Sequence, residues 1–527
     1  MNPEIQVDGN KDKNLKSCKR TLSIRLAQVC SKKYHTMGIS KPHHLLQFNL
    51  LASQEEREGE EEVTRKRKNE DFAEVRSRGK RMKKVEVAKE GNVEIENEDN
   101  EEETEKNFPL STNREREMEG AEEHDIVIVG GGISGLATAL ALHRNRKGIK
   151  SVVLERADSL RIEGGAIGIL ANGWRALDQL GLSVSNHLRQ KAALNQRSFV
   201  ISLDNGTQKE VPLGVGEGRC VKRGDLINAL ADALPFGTIH FGCSVISVEL
   251  DSSVNSFPIL HLLGGKTIIA KIVIGCDGGR SEIGKFVGLK PTRQFSHSAV
   301  RGLTSYPKGH TFKHEFIRWK KNDSSVLTGR IPIDEKYVYW FVAFKSSSSQ
   351  AEETWKDDQE LVREKTTELL SVNKFPKEVI EMINKSEVES ISFTHRLKYR
   401  APWDLVFGSF RKGTITVAGD ALHVMGPFLG QGGSAGLEDA IVLARRLSKA
   451  GLGGEMDDEM MKKRVGEAMD DYIKERRIRL VGLSTQTYLT GMLIQGPQLF
   501  VKIFIILVMN VLFRDARGHS KYDCGQL

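Results

Sequence analysis

Six residues, Gly130-Gly131-Gly132-Ile133-Ser134-Gly135, set three glycines at the GxGxxG spacing directly after the apolar run Asp125-Ile126-Val127-Ile128-Val129. That order predicts a strand, a tight turn and a helix start, because Ile133 to Arg144 then repeats Ala and Leu at helical spacing. Gly130 permits the sharp turn, Gly132 lets backbone approach a pyrophosphate, and Gly135 lets helix and strand pack closely. The helix start, with Ser134 in its first turn, turns unpaired N–H groups and a positive dipole end toward the phosphates. A second apolar run, Ser151-Val152-Val153-Leu154, leads into Glu155, twenty residues beyond Gly135. A carboxylate there accepts hydrogen bonds from an adenosine ribose and repels a 2′-phosphate, so FAD or NAD is expected as the resident ligand and NADP is not. Arg156 follows directly and joins these residues as a cofactor-binding candidate.

Two later constellations narrow the choice. Lys271-Ile272-Val273-Ile274-Gly275 runs into Cys276-Asp277-Gly278-Gly279-Arg280-Ser281, and the strand-like Thr414 to Ala418 runs into Gly419-Asp420-Ala421-Leu422-His423. Pro427, Gly430-Gln431-Gly432-Gly433 and a helix over Leu437 to Leu447 complete the third. A helix starting near Gly433 behind a glycine-rich loop points its N–H groups at whatever occupies the loop, and a flavin reduced to its anion is the ligand such an end favours. In this order, over about residues 124 to 450, the motifs resemble the group A FAD-dependent aromatic hydroxylases, most closely the plant branch related to zeaxanthin epoxidase and salicylate hydroxylase. The ending Tyr522-Asp523-Cys524-Gly525 resembles the same branch more weakly.

The resemblance implies roles residue by residue. Asp277 lies near the pyrophosphate in a motif tied to both FAD and NAD(P)H use, Asp420 hydrogen-bonds the FAD chain, and Arg223 stands at the flavin. Val245 presents its backbone to the adenine, and Pro427 sits beside the flavin ring, with Gly430 and Gly432 in the loop that follows. The implied activity is a monooxygenase in which NAD(P)H, as a transient co-substrate, reduces FAD, and O2 then yields a flavin hydroperoxide. That species hydroxylates or epoxidises a small aromatic or unsaturated substrate and must be kept dry. No side chain is nominated as catalytic acid or base, and no metal is expected. Lys285 stands where Arg is usual and Ala171 precedes Asn172 where Pro is common; both departures bear on the reductant step. Two other readings stay open: a FAD-dependent dehydrogenase or reductase on the same fold, and a non-catalytic flavoprotein with a regulatory charged tail.

The elements that must position these residues follow from the patterning. The expected fold is α/β: a doubly wound, Rossmann-like FAD domain in discontinuous pieces (123–198, 217–292 and 396–450) with an inserted, mainly β substrate domain. Residues 199–216 and 293–395 form that domain, with alternating segments such as Tyr337 to Phe344 as antiparallel strands and a helix around Trp355 to Leu370. Arg301 and Trp340 are candidates for its substrate face, although Trp340, flanked by Tyr339 and Phe341, reads as core. His423 reads as a structural or flavin-packing residue, and Cys243 and Cys276 as small hydrophobes. After Asp439 the pattern is helical to the end, making 451–527 a helical C-terminal region.

Composition sets the rest. The chain has 527 residues, 39% hydrophobic, with a formal net charge of +8, enough apolar content for a core. Residues 1–122 read as a charged extension: between Glu55 and Lys106, 32 of 52 residues are charged, a density that cannot offset the entropy of ordering. Arg65-Lys66-Arg67-Lys68 and Lys80-Arg81-Met82-Lys83-Lys84 match a nuclear or nucleic-acid patch, but flanking Glu blocks and the lack of interleaved aromatics favour a solvated tail. No nucleic acid is expected at the folded domain. An acid-poor start with Lys16, Lys19, Arg20 and Arg25 weakly resembles a transit peptide, so plastid and cytoplasm are the candidate locations. Six cysteines without a CxxC pair argue against a disulfide framework and a zinc site. Gln498 to Phe513 is apolar but 16 residues long, too short to span a bilayer; it reads as a helix packed on the FAD domain or as a peripheral membrane contact.

Overall fold

The computed structural model describes residues 121–527 apart from 146–149, 163, 196, 251–256, 322–323, 347–356, 452–456, 496–497 and 516. The targeting segment and charged run expected nearer the start lie outside the described residues. The first strand, Glu122–Val129, is the centre of an eight-stranded sheet. Thr267–Gly275 and then Ile415–Val417 pair parallel on one side of it, and Val152–Leu154 and then Ile239–His240 on the other. Only short edge pieces, among them Arg411–Lys412, run antiparallel. Ile126 to Val129 are all buried, which is why the strand reads as a continuous β-branched run and not as an alternation.

Two helices pack together beside this sheet. Helix α1 (Ile133–Arg144) buries every residue from Gly135 to Leu142 and packs against α2 (Gly432–Lys449). Helix α3 (Asp458–Ile494) lies on the other side of α2, and α4 (Leu499–Leu512) follows it. The helical pattern does not continue to the chain end. Beyond Phe513 there is only the turn Gly518–Ser520 and extended backbone. Those carbonyls are held by arginines: Arg175 donates to the oxygens of Ser520 (2.8 Å) and Tyr522 (2.7 Å), and Arg445 to that of Cys524. A tail whose carbonyls are bonded to side chains has no need of a helix to satisfy them.

A second, seven-stranded sheet runs in the order 392–394, 297–305, 337–345, 327–332, 315–320, 197–202, 208–210. All its pairs are antiparallel except Glu315–Lys320 with Arg197–Ser202, which run parallel because the latter strand is contributed before the chain returns to the first sheet. The helix expected around Trp355 to Leu370 is observed over Gln359–Val372, and with Lys377–Asn384 it covers one face. Trp340 is fully buried on that face and its indole N–H donates to Ser386 Oγ at 2.7 Å, so it belongs to the core and not to a substrate surface.

Candidate active site

A cavity of about 660 Å³ opens at the carboxyl ends of the parallel strands, where an open α/β sheet leaves a crevice. Ten of the thirteen residues singled out from sequence line it: Gly130, Gly132, Ser134, Glu155, Arg156, Arg223, Val245, Asp277, Asp420 and Gly432. The other three lie elsewhere. Gly135 is packed beneath the turn, where a Cβ would stand 1.9 Å from the carbonyl oxygen of Gly130. Pro427 opens an exposed turn, Pro427–Leu429, and Gly430 ends it in the left-handed region (φ 61°); neither is part of the lining. Arg301, on the strand His297–Ser305, reaches the cavity from the second sheet and donates to Thr394 Oγ1 at 2.9 Å.

Glu155 is buried, and its carboxylate is already engaged. Oε2 accepts from the N–H of Gly131 at 2.7 Å and Oε1 from that of Ala157 at 3.1 Å, so it braces the glycine turn while leaving lone pairs toward the cavity. Gly130 holds φ at +109°, and a Cβ there would meet the Cys276 carbonyl oxygen at 2.5 Å; only glycine fits. Asp277 accepts from Ser281 Oγ and from the N–H of Glu282 (2.7 Å), which fixes the turn after the strand Thr267–Gly275. Burial raises its pKa, partly offset by these bonds. The Arg223 guanidinium donates to the carbonyl oxygen of Arg161. Cys276 also lines the cavity, but burial pushes its thiol far up, so it is no nucleophile.

Asp420 is solvent-exposed on the cavity wall, and the protein packed around it raises its pKa by desolvation against the opposing pull of His423, Arg223 and Arg301. Beside it, α2 begins. Its N-cap residue Gln431 makes no side-chain capping bond, and the first-turn N–H groups of such a helix have no partner within it. Gln431 Nε2 and Ser434 Oγ are buried without a hydrogen-bond partner, and Gly432 and Gly433 face the cavity.

These features fit a flavin dinucleotide. The space before Gly132 is open, with nothing within 4 Å of an added Cβ, so a pyrophosphate can approach the backbone. Glu155 and Val245 stand at one end of the cavity wall and the dipole-positive end of α2 at another, as ribose and reduced flavin each require. The lining carries Arg156, Arg161, Arg223, Arg280 and Arg301 against three carboxylates named above and Glu282, a cationic excess suited to a dianion.

The groups that hold this site in place are not visible in the motifs. Asp439, fully buried on α2, accepts from the N–H of Gly419 (2.8 Å), from His423 Nε2 (2.7 Å) and from Arg476 Nε (2.7 Å). Burial alone raises its pKa, but the charges of His423 and Arg476 prevail and hold it below the usual carboxylate range. Its neighbour Glu438 pairs with Arg476 (2.9 Å) and Arg479 (3.0 Å) and accepts from Asn172 Nδ2 at 2.7 Å. The Tyr522 ring lies under both guanidiniums, at 5.2 and 4.7 Å. The network ties α2, α3 and the chain end to the turn that carries Asp420. His423, wholly buried in it, is thereby a structural residue. Lys285 pairs with Glu282 at 2.6 Å on the surface.

Comparison with known proteins agrees with this geometry. A family model described as FAD binding domain matches residues 123–470. Monooxygenase 1 of Arabidopsis thaliana is 48% identical over 410 residues, which cover 77% of this chain and all of that protein. Monooxygenase 2 of the same plant is 35% identical over 421 residues, covering 78% of this chain and all of that protein. The crystal structure of Klebsiella pneumoniae HpxO complexed with FAD and uric acid shares the fold, with a TM-score of 0.61 at 18% identity over 76% of this chain and 97% of that one. The chain belongs to the FAD-binding-domain family, as an FAD-dependent monooxygenase of group A.

Proposed function

We propose that this monooxygenase consumes NAD(P)H and O2 to hydroxylate or epoxidise a small aromatic or unsaturated substrate. The observation that carries the reading is the reach of one cavity from the dinucleotide turn at Gly130 to Arg301 on the second sheet. On that sheet Arg301 stands opposite Phe341, and residues two apart share a face, so Tyr339 and Phe341 lie on the same face of the sheet as Arg301, behind the cavity wall. Gly165, beside the lining residue Gly164, packs on both: a Cβ there would lie 3.1 Å from the Tyr339 ring and 3.7 Å from Arg301 Cγ. FAD, when bound and reduced by a nicotinamide, supplies the activation of O2 that such a reaction needs.

The protein's own residues bind, orient and exclude water. Gly130, Gly132 and Glu155 hold the dinucleotide's adenosine diphosphate part, and the α2 N-terminus at Gly432 and Gly433 favours negative charge on the flavin. Ala166 and Ile167 offer apolar wall for a planar substrate, with Arg301 also in the lining. The uric acid in the HpxO structure is a planar ring compound of this size class.

Turnover in isotopically labelled O2, across a panel of phenols and polyenes, tests the proposal. One labelled oxygen atom is expected in the product of the accepted substrate, with substrate-stimulated NAD(P)H oxidation. NAD(P)H consumption and substrate oxidation without label in any product would establish a dehydrogenase or reductase instead.

A further inference from the structure

Helix α4 presents the wrong face to water. An outer helix of a soluble domain turns its apolar stripe inward and a polar face outward. Here Ile505 is the one residue of Leu499–Leu512 that is fully buried, while Leu499, Phe500, Ile503, Phe504, Ile506, Leu507, Val511 and Leu512 are exposed. Eight of the 22 large apolar side chains exposed among the described residues fall on these 14 positions, so the exposure is a patch and not scatter. At about 100° per residue, the exposed apolar positions before the last turn share an arc of roughly 160°. Lys502 sits at the edge of that arc, where a lysine stem can lie along apolar surface with its ammonium in water.

The charges beside the patch select its partner. Lys502, Arg514, Arg517 and Lys521 are all exposed, against two carboxylates: Asp515, which Lys521 already pairs at 2.6 Å, and Asp523, which accepts from the N–H of Gly525. Pairing of two copies of the chain through this face would set like charges against each other, a cost at an isologous interface. An anionic lipid surface meets both features at once, taking the apolar arc below its headgroups and the cations at their level. The helix is about 21 Å long, short of the roughly 30 Å hydrocarbon core. No helix among the described residues is long and apolar enough to cross a membrane, so α4 would lie in the plane of the interface.

We infer that α4 is an interfacial anchor that docks the folded domain on the headgroup layer of an anionic bilayer. Flotation of the full chain with phosphatidylcholine vesicles, with and without phosphatidylserine, tests it. The wild type is expected to float with the phosphatidylserine vesicles and far less with phosphatidylcholine alone. The double variant Ile503→Asp, Leu507→Asp alters only half-exposed side chains and is expected to lose binding by at least about tenfold while keeping its flavin. Tryptophan emission from an Ile503→Trp variant, which does not depend on disrupting the helix, should shift to the blue only with phosphatidylserine. Three results overturn the inference: no flotation of the wild type; equal flotation of the double variant, which would credit the basic clusters at Arg65 to Lys68 and Lys80 to Lys84; or a dimer in sedimentation that the double variant dissolves, without vesicle binding.

Discussion

Arg476→Met is expected to destabilise the protein by about 3–5 kcal/mol, the cost of leaving buried carboxylates without their cation. Glu438 and Asp439 have no solvent exposure, and Arg476 and Arg479 are the guanidiniums that balance them. Methionine keeps much of the volume, so the loss reads out charge and hydrogen bonding more than a cavity. The shift should appear as a lower urea midpoint with an unchanged slope. Asp439 makes the acid limb diagnostic as well. Its folded pKa lies below the unfolded value of about 3.9, so its contribution is present above that value and is lost as pH falls through the folded pKa. Without Arg476 the folded pKa rises, and the variant should begin losing stability at a higher pH than the wild type. Flavin content should fall too, because Asp439 also holds Gly419 and His423, which flank Asp420. A cost below about 1 kcal/mol would show that the network is not what fixes α2.

That network also marks where the sequence stopped being informative. The glycine turn, Glu155, and the motifs at Asp277 and Asp420 were readable because each is local: a strand end, a turn and a helix start within about ten residues, with a period that switches from continuous apolar to helical. The cavity gathers them because parallel strands end on one edge. Arg476 and Asp439, in contrast, are 37 residues apart and meet only because α2 and α3 pack side by side. Nothing in the Glu438-Asp439 pair distinguishes it from a solvated helical turn until its neighbours are seen to be wholly buried. The same holds for the chain end. Tyr522 looks like part of a polar tail, and its place under two arginines depends on residues some 40 positions earlier. Pro427 and Gly430 are the converse case, because their motif fixes where they stand in the chain but not whether that turn enters the cavity.

The second large effect separates binding from stability at one atom group. Asp420→Asn is expected to weaken FAD binding about 10- to 100-fold while making the protein stripped of flavin more stable, not less. The first half follows from the position: a charged hydrogen-bond acceptor on the cavity wall beside the α2 N-terminus contributes roughly 1.5–3 kcal/mol to a ligand donor it meets. The second half follows from the sign of its pKa. Desolvation holds the folded value above the unfolded one, so the group favours folding below about pH 3.9, and that contribution is lost as pH rises through the folded value. At neutral pH the ionised carboxylate is therefore a cost to the empty site, a small one because water in the cavity screens the exposed side chain, and asparagine removes it. Thermal unfolding of the stripped proteins should give the variant a slightly higher Tm at neutral pH, with the gap closing in acid, and flavin fluorescence titration should give it the higher Kd. Unchanged FAD affinity would remove Asp420 from the binding site. A lower Tm in the variant would mean that His423, Arg223 and Arg301 outweigh burial, and that the carboxylate serves the fold before it serves the cofactor.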